Sequence, residues 1–203
     1  VDIGDISSLG DLVKDGKINH NGKIPVIKSI DTDVGKASQN GRRGSATAFV
    51  NFFDPEIEDI FGLKSPRTAV EKRVNDISYG IKLNQLVYDR AVRNEPISLF
   101  SVRKAPKLNK LFYGKDYSAF VKEYERLEAK GLYTSQINAK DFMKMFGTER
   151  CETSSYYIVN IDEINSNTPY EDEISQSNIC VEFVTPTLPI SDLEPEAPAI
   201  GIC

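Results

Sequence analysis

Apolar and polar residues alternate along 77–83, where Ile77, Tyr79, Ile81 and Leu83 are separated by Ser78, Gly80 and Lys82. A repeat of two puts each set on its own face of a β-strand. The run 47–53 (Thr-Ala-Phe-Val-Asn-Phe-Phe) predicts another strand, stopped by Asp54-Pro55. Shorter strands are predicted at 97–101, after Pro96, and at 156–161. Between them the spacing switches to that of helices, at 25–36, 56–62, 85–93, 116–130 and 139–147. The clearest is 116–130, with Asp116 as N-cap and an apolar stripe of Phe120, Tyr124 and Leu127. Opposite that stripe lie Lys122, Glu123, Glu125 and Arg126, and Lys130-Gly131 ends the helix. Strands interleaved with helices predict an α/β fold. Residues 10–23 and 36–45, rich in Gly and Asn, read as loops.

Alternation returns over 177–184, the segment with the most chemistry. As a strand it sets Ile179, Val181 and Phe183 on one face and Asn178, Cys180 and Glu182 on the other. Same-face neighbours two apart are roughly 6.6–7 Å from each other, so a ligand of sugar size spans all three. Burying a carboxylate unpaired is costly, which makes an amide, a thiol and a carboxylate an odd core face. Two readings stand: a site-bearing strand, or an edge strand with its polar face in water and Cys180 as filler. Hydrolytic cysteine catalysis would need a base, and His20 is the only histidine. The loop 36–45 carries Arg42 and Arg43 among Gly, Ser and Asn, which suits a phosphate or nucleotide but lacks P-loop spacing. A plain surface turn fits it equally.

The chain has 203 residues, 40% of them apolar, enough for a core and against wholesale disorder. Lys+Arg 25 against Asp+Glu 30 gives a net charge of −5, unlike a protein that coats nucleic acid. No apolar run is long enough to span a membrane, and no signal-peptide layout opens the chain. Cys151, Cys180 and Cys203 are too few and too widely spaced for a disulfide scaffold or a zinc site, so no metal site is expected and the expected compartment is the cytoplasm. Cys151 is expected to be a packing residue. Prolines at 186, 189, 195 and 198 predict an extended connection or a docking segment, and Glu171-Asp172-Glu173 a solvated turn. With no initiator Met and an apolar run at 199–203, both ends read as cut, so a fragment of a longer polypeptide is expected.

Taken together, Gly41-Arg42-Arg43-Gly44-Ser45-Ala46-Thr47-Ala48-Phe49, Glu56-Ile57-Glu58-Asp59, the stretch 75–83 with Tyr79-Gly80, Ser177-Asn178-Ile179-Cys180-Val181-Glu182 and Pro198-Ala199-Ile200-Gly201-Ile202-Cys203 resemble the large (α) subunit of aerobic, class I ribonucleotide reductases, in a form like that of T4-type phages. The resemblance implies that 1–203 is the central part of a catalytic barrel domain, incomplete at both ends, from a ten-stranded α/β barrel. It implies reduction of ribonucleoside diphosphates to 2′-deoxyribonucleoside diphosphates for DNA replication, through a thiyl radical on a buried Cys180. Glu182 would be the base on the 3′ hydroxyl and Asn178 a hydrogen-bond partner of the substrate hydroxyls. Cys203 matches one member of the redox-active disulfide, its partner lying outside the chain; a Cys180–Cys203 disulfide is the alternative. Gln39 and Arg43, in the specificity loop, would face the substrate base, and Lys14 sits in a loop like the effector-phosphate loop, where Asp5 and Ser7 replace expected arginines.

The implied radical source is a diiron–tyrosyl radical in a partner small subunit, with dNTP and ATP as effectors. Further implied partners are a second large subunit, in a homodimer, and thioredoxin or glutaredoxin as reductant. Other readings remain: a non-catalytic nucleotide-binding module, a split-subunit piece, or a relative with another radical source such as cobalamin.

Overall fold

The computed structural model describes residues 1–36 and 39–186. Its chain order is β1 (Leu12–Val13), β2 (Ile18–Asn19), α1 (Ile24–Lys36), β3 (Ala46–Asn51), α2 (Ile57–Gly62), β4 (Ile77–Leu83), α3 (Gln85–Arg93), β5 (Pro96–Leu99), α4 (Pro106–Tyr113), α5 (Tyr117–Ala129), β6 (Ser135–Asn138), α6 (Ala139–Thr153), β7 (Tyr156–Asn160) and α7 (Ile161–Asn167). A 3-10 turn at Val70–Lys72 precedes β4.

The central sheet has the order β3-β4-β7, all parallel. On its outer side the N-terminus adds a short parallel bridge, Asp2 opposite Phe49, closed by Ile3 N–H to the Phe49 carbonyl and Phe49 N–H to the Val1 carbonyl, both 2.9 Å. Two antiparallel pairs, β1-β2 and β5-β6, stand apart from it. The α/β expectation is therefore met, by a sheet that among the described residues is three-stranded and open.

Register assigns the two faces. Ala48, Val50, Tyr79, Ile81, Tyr156 and Ile158 share one. Tyr79 and Tyr156 stack there at 5.2 Å, and Phe61 of α2 packs on Tyr156 and on Phe142 of α6. Thr47, Phe49 and Asn51 share the other with Ser78, Gly80, Lys82, Tyr157 and Val159. Here Phe49 lies over Gly80 so closely that a Cβ on Gly80 would enter its ring. Past the end of β3, Phe52 and Phe53 join Phe112, Phe120 and Tyr124 in an edge-on and tilted aromatic cluster. Phe120, Tyr124 and Leu127 are buried, as their spacing predicts.

Several boundaries differ from expectation. The loop 10–23 contains the β1-β2 hairpin, and the predicted helix 139–147 runs on to Thr153. Ile161 starts a helix rather than ending a strand. Residues 177–184 are not a strand but a tight turn. Cys151 does not pack: it is exposed near the end of α6. Glu171–Glu173 is exposed, as expected. Of the proline-rich connection only Pro186 lies within the described residues, and Cys203 lies outside them.

Candidate active site

The second face of the sheet carries the polar groups. Lys82, fully buried, donates to both Asp2 oxygens at 2.7 and 2.8 Å and to the Tyr113 hydroxyl at 2.6 Å. Tyr113 donates to Asn51 Oδ1 at 3.1 Å, Asn51 Nδ2 to Asn109 Oδ1 at 2.8 Å, and Asn109 Nδ2 to Asp5. One hydrogen-bonded chain thus runs from Asp2 to Asp5 across β4, α4 and β3. Burial pushes the Lys82 ammonium down, against the pull of the Asp2 carboxylate. Burial also pushes the Tyr113 phenol well up, with Asp2 and Asp5 adding to it. Beyond the end of β3, Lys23 binds Asp54 at 2.6 Å and the Ile6 carbonyl at 2.6 Å, while the Glu56 carboxylate accepts the Lys23 and Leu9 amides at 3.0 Å each. Burial raises the Asp54 and Glu56 carboxyls, opposed in Asp54 mainly by the Lys23 charge and in Glu56 mainly by those amide hydrogen bonds. The ends of parallel strands are where open α/β sheets bind ligands. Sequence reasoning missed this network; the signal was Lys82, a lone cation on the alternate face of an otherwise apolar strand.

The thiol-bearing turn docks on the same face. Thr47 Oγ1 donates to the Ile179 carbonyl at 2.6 Å. The turn closes through Asn178 N–H to the Phe183 carbonyl at 3.1 Å and Val181 N–H to the Asn178 carbonyl at 3.3 Å. Asn178 Oδ1 accepts the Glu182 and Phe183 amides, each at 3.0 Å, and the Ser177 hydroxyl at 3.1 Å. Val181 adopts φ 64, left-handed backbone that a β-branched residue avoids, and its side chain is half-buried against the core. Such a residue costs about 1–3 kcal/mol and persists only where its surroundings fix it. Cys180 and Glu182 are exposed at the tip, and Cys180 is a free thiol. The predicted trio thus stays on one turn, but Asn178 caps that turn with its own side chain.

The Gly-rich loop adjoins it through β3. Gln39 and Arg42 exchange backbone hydrogen bonds of 3.0 and 2.9 Å around Asn40 and Gly41, both at positive φ, a tight hairpin turn. Arg43 pairs with Asp76 at 3.0 Å with its side chain 74% exposed. A depression of about 490 Å³ is lined by Gln39, Asn40, Arg42, Arg43 and Gly44, and its two arginines suit an anion. Lys14 is exposed at the tip of the β1-β2 hairpin, on a different element from both. Among the described residues no group of three or more His, Cys, Asp or Glu side chains is arranged to hold a metal ion, and no helix is long and apolar enough to cross a membrane.

A thiol and a carboxylate thus share one turn anchored to one face of a parallel α/β sheet, beside a glycine-rich basic loop. The family described as "Ribonucleotide reductase, barrel domain" matches residues 1–194, and the chain belongs to it. Among its relatives, the "Ribonucleoside-diphosphate reductase subunit alpha" of Buchnera aphidicola subsp. Acyrthosiphon pisum is 34% identical over 208 aligned residues, covering 100% of this chain and 27% of the relative. The protein of that name in Enterobacteria phage T4 is 33% identical over the same shares. "Ribonucleoside-diphosphate reductase 1 subunit alpha" of Escherichia coli K12 is 34% identical, over 95% of this chain and 26% of the relative. The chain spans about a quarter of the length of the relatives it matches.

Proposed function

We propose that this chain is the central part of a ribonucleoside-diphosphate reductase large subunit, whose remaining strands complete a ten-stranded barrel around the face that carries Thr47, Asn51 and Lys82. The observation that carries this is the family match over 1–194 together with Cys180 and Glu182 on one turn anchored to that face. In this reading a diiron–tyrosyl centre in a partner small subunit would supply the radical, and the part played by this chain begins with Cys180 as a thiyl. The thiyl takes the 3′ hydrogen of the ribose, so that an S–H bond forms as the C–H bond breaks. Glu182 accepts the 3′ hydroxyl proton. The 2′ hydroxyl leaves as water with a proton from a thiol pair that includes Cys203; that pair also supplies the two electrons and the hydrogen for C2′, closes to a disulfide, and is reduced again by thioredoxin or glutaredoxin. Cys180 returns its hydrogen to C3′ at the end.

Closure of the barrel would turn the exposed tip into a site shut off from water and stray reductants, which a thiyl requires. Asn178 orients the turn, and its amide meets the substrate hydroxyls. Gln39 and Arg43 read the base once Arg43 leaves Asp76, while Lys14 meets the phosphates of a dNTP or ATP effector at the interface with a second large subunit. The substrate is a ribonucleoside diphosphate and the compartment is the cytoplasm. In the complete subunit, Cys180→Ser should abolish turnover, with a residual rate below about 10⁻³ of the parent, as expected when a sole reacting group is lost. Substrate and effector binding should stay within about twofold, since none of their contacts is removed. Turnover at the parental rate would sink the assignment.

A further inference from the structure

We infer that Thr47 is a positioning residue for the Cys180 thiol, acting through the backbone of the turn; this rests on the reading of Cys180 above. Thr47 is 3% exposed, and its hydroxyl ties the sheet to the turn through the 2.6 Å bond to the Ile179 carbonyl, one residue before the thiol. Asn178 caps Glu182 and Phe183 from within, which gives the turn its shape. Val181 packs against the core, yet at φ 64 it occupies backbone that relaxes readily if the turn is released. Shape is thus set by Asn178, and position by Thr47 with Val181 in support.

The far side of Thr47 is equally constrained. It follows Ala46 at the start of β3, in register with Ser78, and its carbonyl accepts from the Val1 nitrogen at 2.8 Å. Three residues upstream, Gly44 lies so close to α1 that a Cβ would come within 2.6 Å of the Val34 carbonyl. Thr47 therefore sits on backbone held from both sides, a rigid post for a turn whose tip is in solvent. A hydrogen atom is transferred only across a short, well-aimed gap, so a thiol displaced by about 1 Å can lose on the order of 10²-fold in rate.

The test is Thr47→Val and Thr47→Ser in the complete reductase, with kcat and KM measured and backbone amide exchange followed. Valine keeps the branched shape and removes the donor; serine keeps the donor. We expect Thr47→Val to lower kcat by about 10- to 100-fold with KM within about twofold, and Thr47→Ser to return kcat to within about threefold of the parent. Exchange should quicken at the Val181, Glu182 and Phe183 amides in Thr47→Val and stay unchanged across β3 and β4. If the valine variant does not fold, Thr47→Ala, which removes the hydroxyl without offering a methyl group to the carbonyl, is read in its place. Unchanged kcat on loss of the hydroxyl overturns the proposal. So does a loss that serine does not restore, or faster exchange spread over the whole sheet, since either marks a general packing role. Cys180→Ser in the same assay separates the two inferences: if it still turns over, the function of Cys180 is wrong, whereas if it is dead while Thr47→Val is fully active, only the role of Thr47 fails.

Discussion

Two residues of β4 show how much one position can carry. Gly80 has no side chain because the Phe49 ring occupies the space above it, and Phe49 is itself 1% exposed. Gly80→Ala should therefore destabilise the chain by about 1–3 kcal/mol through overpacking, read as a lower denaturation midpoint, and Phe49→Leu on the same chain should recover part of the loss. Lys82 presents the opposite case, a buried cation whose position is tolerable only because Asp2 and Tyr113 meet it. Lys82→Met should cost about 3–5 kcal/mol, because it leaves the Asp2 carboxylate facing a buried phenol without its counter-charge. The double variant with Asp2→Asn should be more stable than Lys82→Met alone; equal midpoints would mean that the two side chains are not coupled.

At the scale of elements, caps decide where helices begin. Asp116 accepts from the Ser118 hydroxyl at 2.8 Å and the Ala119 amide at 3.1 Å, and these bonds, Ser118's first, hold its carboxyl below the ordinary value of 3.8. A carboxyl depressed in the folded state stabilises above its unfolded value, and that contribution is lost as pH falls through the folded one. Exchange protection in the first turn of α5 should thus be lower in Asp116→Ala than in the parent at neutral pH, and the difference should close below 3.8. Asp116→Asn, a cap that does not titrate, should show no such closure.

The same scale explains what could be read from the sequence. The strict alternation of 77–83 coincides with β4, and Asp116 marks the start of α5. Helix α4 passed unread although Leu108, Leu111 and Phe112 have helical spacing behind Pro106, a proline at the first turn. Strand β6, Ser-Gln-Ile-Asn, has no apolar alternation and exists because β5 pairs with it. Helix α7 is mostly polar, and Ile161 extends the β7 pattern by one residue before the chain coils. At the site, Ile179, Val181 and Phe183 alternate as a strand would. The Asn178 side chain competes for the backbone amides and Val181 takes φ 64, so a turn forms from a strand-like pattern. The trio of Asn178, Cys180 and Glu182 stood out in the sequence as a candidate site, but its anchoring depends on Thr47, 132 positions from Ile179.

For the whole molecule, that separation has a consequence for assembly. The parallel sheet joins Ala46 to Ile77 and Tyr79 to Tyr156, with Val1 and Ile3 at its outer side. Few of these pairings are local, and non-local parallel pairing is slow because loop closure precedes any gain from contact. As the chain leaves the ribosome, β3 and β4 are synthesised well before Ile179, so the Thr47 hydroxyl faces open solvent until the turn arrives. Docking of the turn therefore comes after the sheet rather than helping to build it. A chain misregistered between β3 and β4 would hold the turn away from its anchor, so the thiol takes its place only in molecules whose sheet is already formed.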